Sequence, residues 1–323
     1  MNPRGMEVLH SLDEAGASGS LRGCAVVIGN LDGVHLGHQR LLALARERAR
    51  ARGSRPAVLT FDPHPVRVLR PQLAPPLVTP LSRKLELLAE HGMEAVVVQP
   101  FDLAYAATPA AEFVARDLAG RLGCAEVVVG YDFTAGHERA RVDALRPLLA
   151  ARGIALNVVE PVTSDGLTVS STKVREFLLE GKVEAAALLL TRLHDVDGLV
   201  VHGAGRGRGF GFPTANVATE ALLPANGVYV IRATVGGDAP GKGAVHGGVC
   251  NVGVKPTVEA SAAVGLEAHL FDFDGRDLYG QSIRVAFLAR VRDERRFPSV
   301  EALRTQIGQD VARARDVLAA ATM

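Results

Sequence analysis

The sequence carries little net charge, few cysteines and no long uncharged hydrophobic run. Its 323 residues include 36 basic and 35 acidic ones, for a formal net charge of +1. A field this weak gives no reason to expect a nucleic-acid polymer or a membrane surface as partner. No apolar run has the length of a bilayer-spanning helix, and residues 1–20 lack the apolar core of a signal peptide. We therefore expect a cytoplasmic protein without a membrane anchor.

The three cysteines, Cys24, Cys124 and Cys250, are far apart and lie in apolar stretches. An odd, unpatterned set argues against a disulfide framework and for a reducing compartment. Each is expected to be a small buried side chain. The rest of the composition, 48% hydrophobic and 22% charged, is that of a globular protein. A chain of this length predicts two domains.

The most informative stretch is AVVIGNLDGVHLGHQRLL, residues 25–42. Its apolar start, Ala25–Ile28, predicts a buried strand, two glycines permit a tight turn, and a helix pattern follows. His35 and His38 lie at the start of that helix and share one face of its first turn. Free backbone N–H groups and the helix dipole there predict a site for a phosphate chain. A metal site or two exposed histidines are the alternatives, although zinc would need further ligands nearby.

Strands and helices alternate through the first half of the chain, which predicts a parallel, doubly wound α/β sheet. Lys173 and Arg175 put cations in the first turn of one helix, against its dipole, which makes sense if an anion lies nearby. The further strands are predicted at Ala57–Phe61, Ala95–Gln99, Glu126–Gly130 and Ala155–Val159. The helices are predicted at Ser82–Glu90, Pro109–Arg121 with Thr108 as its N-cap, Val142–Arg152, 168–182 and Glu184–Arg192.

Polar residues follow two of the predicted strands, in Asp62-Pro63-His64-Pro65 and in Gly130-Tyr131-Asp132-Phe133. Parallel strands deliver such residues to the carboxyl edge of the sheet, where open α/β folds bind ligands. A proline-rich turn and a plain surface loop are the alternatives for these two segments.

From Asp197 onward the helical periods stop and short β runs begin. They predict a small closed β-barrel, followed by an amphipathic helix over Ser299–Leu318. We set the boundary near residue 192, with an α/β domain over 1–192 and a β-barrel domain over 193–323. The β runs are Leu199–His202, Gly227–Val235, Gly247–Val252, Leu266–Phe273 and Ser282–Val291.

The motifs of the first half resemble those of the bifunctional bacterial riboflavin kinase/FAD synthetase family. GNLDGVHLGH is similar to the HxGH signature of nucleotidyltransferases, FDPHP to the family's second motif, GYDFTAGHERAR to GxDFxFGxxRxG, and SSTKVR to SSTxxR. The resemblance implies that His35, His38 and Arg175 stabilise charge on the phosphates of ATP. It also implies nucleotide contacts from Gly29, Asn30, Asp32, Gly37, Ser171 and Thr172, and flavin contacts from Phe61, Pro63, His64, Asp132 and Phe133.

The second half resembles riboflavin kinases through GRGRGFGFPTAN, residues 205–216, and NVGVKPT, residues 251–257. The resemblance implies that Gly203 and Arg208 bind nucleotide and that Asn251 and Arg292 bind or order the flavin. It implies that Thr214 and Asn216 bind the ATP phosphates and Mg²⁺, which prefers oxygen ligands.

Glu267 is the general base that this resemblance implies for the barrel, with His269 as a weaker candidate. If 266–273 is a strand, Glu267, His269 and Phe271 share a face. A carboxylate on the inward face of a strand is costly unless it has a role or a partner. A solvated face is the alternative for Glu267.

The family implies two phosphorus transfers, from ATP to riboflavin in the barrel and from a second ATP to FMN in the first domain. Mg²⁺ is then the cofactor, ATP, riboflavin and FMN are the small-molecule partners, and a homo-oligomer is left open. The chain departs from the family pattern at Leu31, Ala135, Arg141 and Thr191, and Ala135 replaces an aromatic expected to face the flavin.

These departures leave a riboflavin kinase with a weakened first domain as the alternative. The intact motif residues Thr214, Asn216 and Glu267 disfavour a flavin-binding protein without activity. A synthetase acting on tRNA is disfavoured because the chain has no basic region of that size.

Overall fold

The structure, a computed structural model, describes residues 5–202, 214–237, 239–255, 263–273 and 277–321. Gly203 and Arg208, predicted to bind nucleotide, lie outside these residues. The chain forms two units, Met1–Ser170 and Ser171–Met323. The second unit includes the two helices that the sequence pattern assigns to the first domain, and the boundary near residue 192 stays a prediction.

Six parallel strands form the sheet of the first unit, in the spatial order β1-β4-β3-β2-β5-β8. From β2 the chain runs outward through β3 and β4 on one side, and continues with β5 and β8 on the other. The order therefore reverses between β2 and β5, the place where such sheets bind ligands beyond the strand carboxyl ends. The strands of this unit are β1 Glu7–Leu9, β2 Ala25–Ile28, β3 Pro56–Asp62, β4 Ala95–Pro100, β5 Glu126–Gly130, β6 Thr134–Ala135, β7 Ala140–Arg141, β8 Ala155–Val159, β9 Thr163–Ser164 and β10 Leu167–Thr168.

Helices cover both faces of this sheet, so the predicted doubly wound fold is confirmed. Val26 packs with Leu118 in one buried cluster, while its neighbour Val27 packs with Leu42 and Leu88 in the other. Successive strand residues thus pack into the cores on opposite faces of the sheet, which explains why the strand sequence is continuously apolar. The helices are α1 Leu12–Ser18, α2 Leu36–Arg52, α3 Pro65–Leu69, α4 Leu81–Glu90, α5 Leu103–Ala106, α6 Ala110–Glu112 and α7 Val142–Ala150, with a 3₁₀ turn at Pro71–Leu73.

The helix predicted over Pro109–Arg121 differs from the observed one. Helix α6 is brief, and the chain continues as a π-helical stretch over Phe113–Leu122. Thr108 is not its N-cap, because the Ala110 N–H donates instead to the Glu138 carboxylate at 2.9 Å. That cap comes from 28 residues away in the sequence, so local pattern could not reveal it.

Six antiparallel strands close the barrel of the second unit in the order β11-β12-β15-β14-β13-β16, as predicted. Large buried side chains, among them Tyr229 and Phe287, fill its interior. The strands are β11 His194–Val201, β12 Ala215–Ala218, β13 Gly227–Gly236, β14 Gly243–Lys255, β15 Ala263–Leu270 and β16 Ser282–Arg292, and the helices are α8 Ser171–Leu179, α9 Val183–Leu190 and α10 Val300–Ala320.

Helix α10 packs against the outside of the barrel. Ala314 is buried with Val228, Val230 and Val249 in a cluster beneath it. Ser299 caps the helix by accepting a hydrogen bond from the Ala302 N–H at 3.2 Å. The barrel therefore has two apolar layers, one inside and one under the helix.

Candidate active sites

The turn after β2 is held in an unusual backbone conformation by buried apolar side chains. Leu31 and Val34 have φ angles of +50° and +43°, a region that bulky residues seldom adopt. Their side chains are 2% and 0% exposed and belong to the core on one face of the sheet. Burial thus offsets the backbone strain, as is common at functional sites. Leu31, one of the departures from the family pattern, is packed in the core.

His35 and His38 are brought together at the N-terminus of α2. The His35 ring caps the helix, with Nδ1 accepting from the His38 N–H at 3.4 Å, and the two rings stack with centroids 3.6 Å apart. Gly37 permits this stack, because a Cβ at that position would lie 3.2 Å from the His35 ring. The pair can offer ring N–H donors beside a helix N-terminus, an arrangement suited to phosphate oxygens.

Asp32 joins two loops through buried hydrogen bonds. Its carboxylate, in a side chain 3% exposed, accepts from the backbone N–H groups of Val78 at 3.1 Å and Thr79 at 2.9 Å. The Gly33 N–H donates in turn to the Thr79 hydroxyl at 2.9 Å. Asp32 therefore shapes the turn that leads to the histidines, and its predicted contact with nucleotide stays a prediction.

Asn30, between Gly29 and the strained turn, has a side-chain oxygen that is shielded from solvent. Within the part of the chain that the structure describes, this oxygen accepts no hydrogen bond. An unsatisfied buried acceptor costs free energy that a ligand donor would recover. This supports the nucleotide contact predicted for Asn30.

The residues predicted to contact flavin follow β3 and β5, the two strands that flank β2. After β3, the Phe61 ring lies edge-on to that of Phe101, with centroids 5.7 Å apart. Pro63 follows in a cis peptide bond, and His64 caps α3 by accepting from the Val66 N–H at 3.2 Å. After β5, Asp132 is exposed and Phe133 is partly buried.

Ala135, which replaces an aromatic expected to face the flavin, is packed in the core. It is 8% exposed and belongs to the main core of the sheet. The next residue, Gly136, has a φ of +74° and packs so closely that a Cβ would lie 2.4 Å from the Ala110 nitrogen. The short β6–β7 hairpin thus docks on the start of α6, and the substitution changes core packing.

Helix α8 carries the predicted nucleotide residues Ser171, Thr172 and Arg175 in its first turns. Lys173, in the same turn, donates to the Glu176 carboxylate at 2.8 Å. This pair neutralises the charge of Lys173 locally. A cation at this helix start is therefore weaker support for a bound anion than the sequence suggested. The roles of the three nucleotide residues stay predictions.

Four residues predicted for the kinase site form one row across the barrel. Asn216 pairs with Glu267, Glu267 with Asn251, Asn251 with Val228, and Val228 with Arg292. Residues directly opposite each other in antiparallel strands point to the same face. The row therefore aligns a carboxylate between two amides on neighbouring strands, with an arginine at its far end.

This row lies on the outer face of the barrel, so the inward position expected for Glu267 is wrong. The interior is occupied by the alternating residues Leu266 and Ala268, which are buried, whereas Glu267 is half-buried. Val228, in the same row, packs under α10. An interior already filled by apolar side chains leaves no partner for a carboxylate. Strand β15 ends at Leu270, and Phe271 beyond it still packs with Val228 in the cluster under α10.

Asn216 lies opposite Glu267 in this row, and Thr214 comes two residues before Asn216, just ahead of β12. Asn216 is 6% exposed and Thr214 is partly buried. A hydroxyl, an amide oxygen and a carboxylate form a donor set that fits Mg²⁺. No group of three or more His, Cys, Asp or Glu side chains suited to a metal occurs among the described residues, which does not conflict with a site built largely on ATP phosphates.

Arg292 is tied to helix α10 by a buried carboxylate. Its guanidinium donates to Asp310 at 2.7 to 3.1 Å through two nitrogens, and Asp310 is 4% exposed. Gln306 donates to the same carboxylate at 2.8 Å. Arg292 thus joins β16 to α10 at the end of the row, and its predicted flavin contact stays a prediction.

Sequence reasoning missed three residues that shape these sites, Lys84, Thr79 and Asp310. Lys84 had a detectable signal, because it precedes Leu87 and Leu88 by three and four residues and so lies on the apolar stripe of α4. Thr79 and Asp310 act on partners 46 and 18 residues away, which no local pattern reports.

Two family models match successive parts of the chain. A family model described as FAD synthetase matches residues 17–173, and one described as riboflavin kinase matches residues 190–318. A solved structure of a macrolide-efflux protein from Streptococcus pneumoniae shares the fold, with a TM-score of 0.80 at 30% identity over 89% of this chain and 92% of that one. In the described part of the chain, no helix is both long and apolar enough to cross a bilayer.

Curated relatives match over nearly the full length. The bifunctional riboflavin kinase/FMN adenylyltransferase of Pseudomonas fluorescens is 39% identical over 92% of this chain and 94% of its own. Those of Bacillus subtilis and Escherichia coli K12 are 35% and 36% identical, over 88% and 95% of this chain and 89% and 96% of their own. Both motif sets, both folds and these relatives agree, and the chain belongs to the bifunctional riboflavin kinase/FMN adenylyltransferase family.

Proposed function

We propose that the barrel phosphorylates riboflavin with Glu267 as the general base. Its carboxylate takes the proton of the ribityl 5′-hydroxyl as that oxygen attacks the γ-phosphorus of ATP. The bond from the γ-phosphorus to the bridging oxygen breaks, and FMN and ADP are the products. Catalysis of such transfers is mainly positioning and charge stabilisation. The observation that carries the proposal is the row in which Glu267 lies between Asn216 and Asn251.

Mg²⁺ is the cofactor that we assign to this site, with Thr214 and Asn216 as its protein ligands. When bound, the ion neutralises charge on the phosphate oxygens during transfer. Asn216, buried beside Glu267, orients the phosphates relative to the base. Arg292, held by Asp310, keeps the end of the row in place where the flavin is expected.

The α/β domain predicted over residues 1–192 then transfers AMP to FMN. An FMN phosphate oxygen attacks the α-phosphorus of a second ATP, the bond to the pyrophosphate oxygen breaks, and FAD and pyrophosphate leave. The attacking phosphate is already ionised, so no base is needed. His35, His38 and Arg175 stabilise the charge on the α-phosphate and the leaving group. The stacked histidines at the helix N-terminus support this assignment.

The cytoplasm is the compartment that we assign, because the three cysteines are free and buried. No observation favours a chain with kinase activity alone. Two of the four departures from the family pattern, Leu31 and Ala135, are packed in the core.

The test is an incubation of the full chain with riboflavin, ATP and Mg²⁺, with flavins separated by chromatography over time. FMN should appear first and FAD should follow. His38→Ala should stop at FMN, with adenylyl transfer reduced by about 100-fold or more. Glu267→Gln should lose FMN formation and still convert added FMN to FAD. Folded protein that converts neither riboflavin nor FMN would refute the proposal, and FMN that never becomes FAD would refute its second half.

A further inference from the structure

Lys84 is a buried cation beneath the turn that carries the histidines. It lies on α4 and is 8% exposed. Its Nζ donates to the backbone oxygen of Asn30 at 3.0 Å and to the hydroxyl of Thr60 at 3.2 Å. One ammonium group therefore ties the loop after β2 to the last part of β3.

The carboxylates that act on the Lys84 ammonium group come from the loops of the site. Burial lowers the pKa of Lys84, and the carboxylates of Asp32 and Asp62 oppose that shift. Asp32 comes from the turn after β2 and Asp62 from the end of β3. A lysine seldom remains fully buried unless it is paired, and here both opposing charges come from the loops that it joins.

Arg83, the neighbouring residue, provides an internal comparison. It is 6% exposed, as buried as Lys84, but its guanidinium pairs with Glu86 at 3.0 Å and Glu90 at 3.5 Å on the same helix. Helix α4 thus carries one cation that pairs with acidic residues of the same helix and one that contacts the loops of the site. The second contacts Asn30, which is predicted to bind ATP.

We propose that Lys84 is a positioning residue for adenylyl transfer: by holding the Asn30 carbonyl and the Thr60 hydroxyl, it keeps the 29–35 turn in the conformation that binds ATP. This inference rests on the proposed function of the first unit. Lys84 acts through the turn and is not assigned a contact with substrate. The kinase reaction in the barrel should not depend on it.

The test compares Lys84→Met, Lys84→Arg and the matched control Arg83→Met in the full chain. Methionine keeps an apolar stem of similar length and removes the ammonium group. Lys84→Met should raise the KM for ATP in the conversion of FMN to FAD by about 10- to 100-fold, the range expected for a displaced site. Lys84→Arg should recover most of the loss, and Arg83→Met should retain wild-type KM. Kinase constants, measured on the same samples, should stay within twofold in all three variants.

A second readout separates this inference from the proposed function. ATP and Mg²⁺ without flavin should protect the backbone amides of residues 29–39 from hydrogen exchange in the wild type and in Arg83→Met, and protect them much less in Lys84→Met. If the wild type is protected and Lys84→Met is not, but the wild type makes no FAD, the proposed reaction fails and the role of Lys84 in ATP binding stands. Equal protection and equal KM in Lys84→Met, or no protection in the wild type, would overturn the inference.

Discussion

At the scale of single residues, Thr191 ends helix α9 with a φ of +58°, in the left-handed region. The family usually has glycine there, and the structure gives the reason. A β-branched side chain in this conformation is strained by about 1–2 kcal/mol, whereas glycine adopts it freely. This departure therefore concerns stability at a helix end rather than a ligand contact.

We expect Thr191→Gly to increase the free energy of unfolding by about 1 kcal/mol, since relief of strain exceeds the added entropy of the unfolded glycine. Urea unfolding followed by circular dichroism measures the change. Thr191→Ala is the matched control, because it removes the hydroxyl and the methyl group but keeps a Cβ in the left-handed region. A glycine variant no more stable than the alanine variant would show that strain at this position is negligible.

At the scale of elements, the buried carboxylate of Asp310 pairs with Arg292 and so joins α10 to the barrel, beside the apolar cluster beneath the helix. Removing one partner of such a pair leaves an uncompensated buried charge, which costs about 3–5 kcal/mol. We expect Asp310→Ala to release α10, seen as faster hydrogen exchange over 300–320 and a lower urea midpoint. Asp316→Ala, at an exposed position on the same helix, should change stability by less than about 0.5 kcal/mol. Equal effects from the two variants would contradict this account.

How well the sequence predicted each element depended on how local its cause is. Ala25–Ile28, Glu126–Gly130 and Ala155–Val159 were predicted with the observed bounds, because each is a short apolar run between clear turns. Strand β12 was missed, since its four residues follow a glycine-rich sequence and a proline and show little periodicity.

The candidate sites were predictable in residue type but not in arrangement. The motifs named His35, His38, Asn216 and Glu267, and the structure stacks the first two and pairs the last two across strands. Which face of the barrel carries Glu267 depends on how the sheet closes and on what α10 covers. Those are long-range properties that strand alternation alone cannot determine.

At the scale of the whole molecule, the chain joins two reactions of which the first makes the substrate of the second. Each has its own motif set, and the two folds have separate buried cores. FMN is small and needs no covalent link to the protein in either step. We therefore expect FMN to leave the barrel and to reach the adenylylating site through solution.

Mixing two variants that each lack one of the two activities tests this expectation. His38→Ala supplies FMN but cannot adenylylate it, and Glu267→Gln adenylylates FMN but cannot form it. An equimolar mixture of the two with riboflavin, ATP and Mg²⁺ should produce FAD after a lag while FMN accumulates, and then approach the wild-type rate at equal active-site concentration. The double variant His38→Ala/Glu267→Gln, at the same total concentration, is the control for residual activity. A mixture that yields no more FAD than the double variant, although Glu267→Gln alone converts added FMN, would contradict free diffusion, because FMN would then stay with the chain that made it.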